Sequence, residues 1–281
     1  MPASSSATKT GMGPGLQAPA PRASAFGGGL PDSAYSAIAI GVLVVVWFAV
    51  TNLGLVGSDY LPSPQLLVSN FVDLVQNGYK GIPLWNHIGI SLFRTLSGFA
   101  LGVLLGIPVG LITGYSRIGN AMVSPIMAFI RPIPPIAFIP MAVLYFGLGE
   151  LGKVVLIFFT AFNYAHVNAH AGAANVPIAY LRAAQSLGLT RLQTFWRVVT
   201  PAAIPQIFTG LKVALALSWA VVVAAELVGA QSGLGFMISD AALLFQIPVV
   251  FIGIMLIGAI GLLLNAGLST LEHSIVHWKG R

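Results

Sequence analysis

The feature that most constrains this chain is the length of its apolar stretches that carry no charge. Residues 241–271 contain no Asp, Glu, Lys or Arg, and neither do residues 154–181. A helix needs roughly 20 apolar residues to cross a bilayer, and both stretches exceed that length. Charged residues make up only 7% of the chain, whereas soluble domains carry about 25%. The sequence therefore predicts an all-α polytopic membrane protein.

Six transmembrane helices are predicted from the positions of the apolar stretches. They cover about residues 36–56, 88–114, 120–147, 153–174, 201–231 and 245–270. Arg94 lies within the second of them, Arg131 interrupts the third, and Lys212 and Glu226 interrupt the fifth. Residues 1–35 are rich in Ala, Ser, Pro and Gly, a composition typical of disorder. The prediction is a disordered cytoplasmic tail, 1–35, and a transmembrane domain, 36–281, with a cytoplasmic segment at 175–200.

The distribution of Lys and Arg predicts the orientation of the chain. With the N-terminus inside, the outer face holds only Lys80 and Lys153, and the inner face holds Lys9, Arg22, Arg117, Arg182, Arg191, Arg197, Lys279 and Arg281. Cytoplasmic loops of membrane proteins carry the excess of basic residues, so both termini are predicted to be cytoplasmic. Although the net charge is +6, the basic residues form no patch, which argues against nucleic-acid binding.

Residues 147–154, GLGELGKV, resemble a phosphate-binding loop that lacks its last residue. The pattern G-x-x-x-x-G-K-[ST] needs a hydroxyl where Val154 stands. Such a loop also follows a strand, whereas both flanks here are predicted membrane helices. We expect the glycines to turn the chain on the outer side, with Lys153 at the membrane interface. No ATP, Mg²⁺ or other cofactor is therefore expected in this chain, and without cysteine no thiolate metal site is possible.

The stretch 61–78, on the outer side, has the pattern of an amphipathic helix. Ser63 is a capping residue, Pro64 suits the first turn and Gly78 suits the end. The apolar stripe consists of Leu66, Leu67, Phe71, Leu74 and Val75. We expect this helix to rest on the membrane or on its own bundle.

The one long inner connection, residues 175–201, has the pattern of two short helices with a break between them. Pro177 can begin the first helix, Gly188 permits the turn that ends it, and Thr190 can cap the second, which Pro201 is predicted to stop. Both helices are amphipathic. From the residues alone, they can lie in the lipid headgroups or dock in a groove of a soluble partner.

This connection resembles the "EAA" loop of the permease subunits of binding-protein-dependent ABC importers. That loop reads E-A-A, three residues, Gly, nine residues, I-x-L-P, and Ala183, Ala184, Gly188 and Pro201 match at the same spacing. Arg182 replaces the Glu. The resemblance implies a coupling helix, at about 177–197, that docks in a cleft of an ATPase subunit. The loop residues carried over are Arg182, Ala183, Ala184, Gln185, Ser186, Leu187, Gly188 and Pro201.

The resemblance covers roughly residues 60–281 and points to the taurine, sulfonate and nitrate branch, particularly to taurine permeases. Its motifs are RPIPPIAFIP at 131–140, FGLGELGK at 146–153, RAAQSLG at 182–188 and SWAVVVAAELVGAQSGLGFMI at 218–238. It implies the type I importer permease fold and a location in the bacterial inner membrane. The chain itself would be non-catalytic. The implied cargo is taurine or another organosulfonate, with nitrate and bicarbonate as alternatives.

The resemblance also implies partners. A second copy of the chain would complete a homodimer, and two cytoplasmic ATPase subunits would bind ATP and Mg²⁺. A periplasmic or lipid-anchored binding protein would deliver the cargo from outside.

Polar residues within the predicted spans are candidates for the translocation path or its gate. Arg131 begins a proline-rich break that includes Pro134, and broken backbone at membrane depth is tolerated beside protein or a water-filled cavity. An Arg there suits an anion in transit, or its charge is neutralised by carbonyls freed at the kink or by Glu226. Asn163 and His166 lie in the fourth span.

His166 and His170 share a helix face, but two His without a carboxylate make a weak metal site, and no metal is predicted. Hydrogen bonding between helices is the preferred interpretation of these polar residues, with lining of the path second. Lys212 is predicted to snorkel to the inner face. Glycines spaced by four in the second span predict close helix packing; they are Gly98, Gly102, Gly106 and Gly110.

Two other classes of function were weighed. An ion-driven secondary transporter often shows internal repeats and paired intramembrane carboxylates, whereas Glu226 is the only acidic residue within a predicted span. An intramembrane enzyme would need a nucleophile and base, or a metal cluster, at a suitable spacing. The sequence shows neither.

Overall fold

The structure is a computed structural model in which residues 31–276 are described. Throughout this range the regular elements are helices, and no strand occurs. The helices are α1 (Asp32–Asn52), α2 (Pro64–Asn77), α3 (Leu84–Tyr115), α4 (Arg117–Ile130), α5 (Ile139–Phe146), α6 (Glu150–Ala174), α7 (Ile178–Ser186), α8 (Arg191–Thr194), α9 (Thr200–Gly229), α10 (Leu234–Leu243) and α11 (Ile247–Ile275). A 3₁₀ helix, Pro135–Phe138, precedes α5, and a π-helical turn, Phe195–Val199, joins α8 to α9.

The chain divides between Ala49 and Val50 into two compact units. The first holds most of α1, which begins at Asp32, so the last four residues of the predicted tail belong to a helix. Residues 1–30 of that tail, and the basic residues Lys279 and Arg281, lie outside the described residues. The second unit holds α2 to α11.

By length and composition, four helical segments between residues 31 and 276 can cross a membrane. They are Ser33–Asn52, Leu84–Tyr115, Arg191–Gly229 and Ile247–Ile275, and the bent pair α4 and α5 makes a fifth if it counts as one span. The predicted count of six is therefore not reproduced by these criteria. Helix α6 has 25 residues, enough to span, but its Asn and His residues make it less apolar than the others. It is instead sheltered by protein, because it packs between α3 and α9.

The glycine stripe of α3 sets how closely α3 and α6 approach each other. A Cβ added at Gly98 would lie 2.7 Å from Cβ of Ile157, and one added at Gly102 would lie 2.6 Å from Cβ of Ala161. Only hydrogen fits at these positions, so the two backbones are in direct contact. The predicted packing role of the stripe is confirmed.

The third predicted span is broken by its prolines. Helix α4 ends at Ile130, and α5 leaves it at an angle of 82°. Pro132 and Pro134 in the intervening turn have no backbone N–H, so the hydrogen-bond ladder cannot continue through them. Residues 120–147 are thus two short helices around a break.

The helix predicted in residues 61–78 is confirmed as α2, with its termini. The hydroxyl of Ser63 accepts a hydrogen bond from the backbone N–H of Leu66 at 3.3 Å, and Gly78 ends the helix at φ +74°. Leu67 and Leu74 are buried, and α2 contacts α11. The helix therefore rests on its own bundle.

Candidate functional site

The predicted coupling segment, residues 175–200, folds as two short helices around a sharp turn. Gly188 follows α7 at φ +72°, a conformation that L side chains rarely adopt. Its N–H donates to the carbonyl of Gln185 at 2.9 Å. Thr190 then begins α8 with a capping box, in which its hydroxyl accepts from the N–H of Gln193 and the Gln193 side chain accepts from the N–H of Thr190. The turn geometry predicted from local sequence is present.

Pro201 does not stop the second helix, and this corrects the prediction. The helix runs without a break from Arg191 to Gly229. The π-helical turn makes this possible, because the N–H of Thr200 bonds back to the carbonyl of Phe195 just before the proline. The second helix of the coupling segment, from Arg191 onward, is consequently the first part of the helix that contains α9.

One side of the coupling segment is anchored to the bundle and the other is open. Ala184 and Thr194 are buried, and the hydroxyl of Tyr115, the last residue of α3, donates to the carbonyl of Arg191 at 3.3 Å. The open side carries large apolar side chains beside arginines. They are Leu187, Leu192 and Trp196, exposed by 79%, 68% and 61%, with Arg182, Arg191 and Arg197.

The loop that resembles a phosphate-binding motif lacks the strand that precedes such a motif. It connects α5 to α6, so helices flank it on both sides. Gly147 turns the chain at φ +69°, and the ammonium of Lys153 is buried and donates to the carbonyl of Leu148 at 2.9 Å. The ammonium of this lysine is therefore bound to carbonyls of its own loop and is not free to bind a phosphate.

A buried charge cluster lies at the end of the bundle where α3 and α6 begin and α9 ends. The guanidinium of Arg94, in α3, is 1% exposed and contacts two carboxylates. Its Nη1 donates to Glu226 in α9 at 2.6 Å, and its Nε and Nη2 donate to Glu150, the first residue of α6, at 2.5 and 2.6 Å. One arginine therefore joins three helices.

Glu226 accepts several further hydrogen bonds, all from buried donors. The hydroxyl of Ser91 lies 2.9 Å from both carboxylate oxygens, and the N–H of Gly235 donates at 2.9 Å. Glycine is required at position 233, at φ +117°, because a Cβ there would collide with the Glu226 carboxylate. Glu226 is thus fully paired.

The suggested pairing of Arg131 with Glu226 is wrong, because Glu226 is paired with Arg94. Arg131 lies at the break after α4 and is exposed, as is Pro134. Sequence reasoning noted Arg94 only as a charge within a span and missed its role. The signal available was that Arg94 and Glu226 are opposite charges in two separate apolar stretches, so each needs a partner.

The two histidines of α6, His166 and His170, bond to α3, and this confirms the preferred interpretation of hydrogen bonding between helices for these two residues. The hydroxyl of Thr113 lies 3.2 Å from Nε2 of His166 and 3.0 Å from Nδ1 of His170. Oδ1 of Asn163 and Nδ1 of His166 are buried without a hydrogen-bond partner. No group of three or more potential metal ligands occurs among residues 31–276.

Two further ion pairs lie near the ends of the bundle. Lys212 contacts Glu272 of α11 at 2.6 Å, an ion pair that was not predicted, and its snorkelling to the inner face stays a prediction. On the opposite end, Asp240 of α10 contacts Lys80 at 2.7 Å and accepts from the hydroxyl of Tyr79 at 2.7 Å. The hydrogen bond from Lys80 lowers the pKa of Asp240, and burial raises the pKa of Tyr79.

Known proteins share this fold. An inward-facing structure of the MetNI methionine ABC transporter matches with a TM-score of 0.62 at 21% identity, over 69% of this chain and 96% of that chain. At this identity the match shows the fold alone.

Sequence relatives match over most of the chain. The taurine transport system permease protein of Escherichia coli K12 is 38% identical over 242 residues, which are 86% of this chain and 88% of that protein. The putative aliphatic sulfonates transport permease protein of Bacillus subtilis is 32% identical, over 85% of each chain. The nitrate import permease protein of a Synechocystis strain is 34% identical, over 85% of this chain and 88% of that protein.

The profile of one protein family, described as the inner membrane component of binding-protein-dependent transport systems, matches residues 102–276. That range is more than half of the chain, and it contains both the coupling segment and Glu226. The chain therefore belongs to the family of inner membrane components of binding-protein-dependent transport systems.

Proposed function

We propose that this chain forms the translocation path for a small anion, taurine or another organosulfonate. As a member of its family it is the multi-pass permease subunit of an ABC importer, and separate subunits hydrolyse the ATP. The observation that carries the choice of cargo is its similarity to taurine and aliphatic sulfonate permease proteins over more than four fifths of its length. Nitrate and, by analogy of charge, bicarbonate are the alternative cargoes.

The proposed assembly is a homodimer of this chain with two ATPase subunits and a binding protein. The ATPase subunits bind ATP and Mg²⁺ and face the coupling segment. Its exposed Leu187, Leu192 and Trp196 support this, because large apolar side chains on a surface mark a protein interaction site. The coupling segment is then cytoplasmic, and so are both termini, in agreement with the excess of basic residues on that side.

We assign path or gate roles to five residues. Arg131 and Pro134 lie at the break between α4 and α5, where an exposed guanidinium can meet an anion in transit. Asn163 and His166 offer unpartnered polar atoms within α6. Glu226 holds the outer ends of α3 and α9 together through Arg94, which suits a gate better than direct contact with cargo.

Reconstitution tests this proposal directly. The chain, its cognate ATPase and its cognate binding protein are placed in proteoliposomes, and uptake of taurine, an alkanesulfonate, nitrate and bicarbonate is measured. We expect ATP-dependent uptake of taurine or the alkanesulfonate, and binding of the same anion by the binding protein. Uptake of nitrate or bicarbonate alone would contradict the proposed cargo, and ion-driven uptake by the chain without its partners would contradict the assembly.

A further inference from the structure

The two carboxylates that contact Arg94 differ sharply in their exposure. The side chain of Glu226 is 0% exposed and has three kinds of donor around it. The side chain of Glu150 is 61% exposed, although the guanidinium that it contacts is 1% exposed. One partner of the arginine is therefore built into the protein, and the other reaches it from the surface.

The exposed partner occupies the half of the guanidinium best suited to an oxyanion. Nε and Nη2 donate in parallel to the two oxygens of Glu150, at 2.5 and 2.6 Å. This bidentate geometry is the one by which arginine binds carboxylates and other oxyanions. The other half is committed, since Nη1 donates to Glu226 and to the carbonyl of Ser232 at 2.8 Å.

Release of Glu150 from Arg94 needs only rotation of its side chain. Glu150 is the first residue of α6 and its side chain is 61% exposed, so the carboxylate can turn into solvent without moving the helix. Within residues 31–276 the carboxylate has ion-pair contacts with Arg94 and, at 3.5 Å, with the ammonium of Lys153. If it swings into solvent, Arg94 and Lys153 face a single fixed carboxylate, and the site gains one unit of net positive charge.

We propose that the Nε–Nη2 edge of Arg94 is an anion-exchange site, in which Glu150 is a replaceable occupant and Glu226 is the fixed one. The ligand is a small monoanion with at least two oxygens on one centre, such as a sulfonate or a carboxylate. This inference deepens the proposed function, since it rests on an anionic cargo, and it places a binding site at the end of the bundle opposite to the coupling segment. Glu150 closes that site when no anion is present.

The test is rescue of a missing carboxylate by a free anion. Glu150→Ala and the milder Glu150→Gln are purified in detergent, and Tm is measured over a series of sodium methanesulfonate and sodium acetate concentrations. Asp240→Asn is the matched control, because it also removes a carboxylate from a basic partner, but Lys80 is half exposed. We expect both anions to raise the Tm of each Glu150 variant by roughly 2–4 °C. Wild type and Asp240→Asn should respond much less.

An equal response of all four proteins would overturn the inference, since it would show a general effect of salt. Absence of a response in both Glu150 variants would overturn it too. Addition of Arg94→Gln to Glu150→Gln should abolish the response, and persistence of the response would place the anion elsewhere. These measurements need no transport, so this site and the cargo proposed above can fail independently.

Discussion

At the scale of single residues, the charge cluster explains how an arginine is tolerated inside an apolar bundle. A buried charge is costly unless it is paired and its donors are satisfied. Arg94 meets that condition, because Nε, Nη1 and Nη2 all donate to carboxylate or carbonyl oxygens. The cluster is stable as a unit and intolerant of losing its central member.

Arg94→Gln should therefore destabilise the protein strongly. It leaves the carboxylate of Glu226 buried without a counter-charge, and breaking a buried pair in this way costs about 3–5 kcal/mol. Lys80→Gln, which removes the basic partner of the accessible Asp240, should cost less than about 1 kcal/mol. SDS titrations of detergent-solubilised protein measure the free energy of unfolding of both variants. Similar losses of that free energy in Arg94→Gln and Lys80→Gln would contradict the burial assigned to Arg94.

The residues that were predicted correctly share a local cause. Ser63 and Thr190 cap helices through atoms three residues away, and Gly188 turns the chain by its own φ. The contacts of Arg94 span 56 and 132 residues of sequence. Nothing local encodes such pairs, so the sequence shows that a buried charge needs a partner but not which partner it finds.

At the scale of helices, spacing in the sequence was enough to predict the contact between α3 and α6. Glycines four apart lie on one face of a helix, and such a stripe lets a neighbouring backbone come close. The structure places that neighbour, with its own small residues Ala161 and Ala165, against Gly102 and Gly106. The pattern predicts the close approach, whereas the identity of the partner helix depends on the whole bundle.

Gly102→Ala should separate α3 from α6 and destabilise the bundle by about 1–3 kcal/mol, as overpacking does. The added methyl would lie 2.7 Å from the carbonyl oxygen of Phe158. Gly89→Ala, in the same helix, is the matched control, because a Cβ there has no atom within 4 Å. It should stabilise the helix by up to about 1 kcal/mol. In the same unfolding assay, Gly102→Ala should lower the free energy of unfolding and Gly89→Ala should raise it. Changes of the same sign would contradict the close packing of α3 on α6.

The course of a helix around proline was predicted less well. Prolines in 131–140 correctly indicated broken backbone, although the 82° bend between α4 and α5 was not predictable. Pro201 was expected to end a helix and does not, because the π-helical turn before it rearranges the hydrogen bonds. Proline removes one donor, and the surrounding packing decides whether the chain bends or continues.

The turn at Gly188 should be essential for coupling under the proposed function. Gly188→Leu forces an L side chain into a left-handed conformation that costs about 1–2 kcal/mol, and a penalty of that size lowers the docked population about tenfold. In proteoliposomes we expect Gly188→Leu to lower by about tenfold the ATPase activity that the binding protein stimulates. Its insertion into the membrane should be normal. Gly81→Leu is the control, since Gly81 has φ +76° and open space around it but precedes α3, at the opposite end of that helix from Tyr115. Wild-type stimulation in Gly188→Leu would contradict the coupling role.

At the scale of the whole subunit, α6 joins the two sites. Its first residue is Glu150, in the charge cluster, and Ala174 at its end leads directly into the coupling segment. A helix of 25 residues is about 37 Å long, and the direct contact with α3 keeps the two moving together. A shift of either end is therefore transmitted to the other as a displacement of the same rigid pair of helices.

That connection makes the contact between Arg94 and Glu150 a constraint on ATP hydrolysis, under the proposed function. If the contact between Arg94 and Glu150 stabilises the resting conformation of the transporter, Glu150→Gln weakens that contact. The population then shifts towards the conformation that hydrolyses ATP. A bias of about 1 kcal/mol would raise ATPase activity without binding protein about fivefold. Phosphate release from proteoliposomes containing the assembled transporter measures this, with Asp240→Asn as the control at the same end of the bundle. Equal basal rates in wild type and Glu150→Gln would show that the cluster holds helices together without governing the coupling segment, because a purely local bond would leave the opposite end of α6 undisturbed.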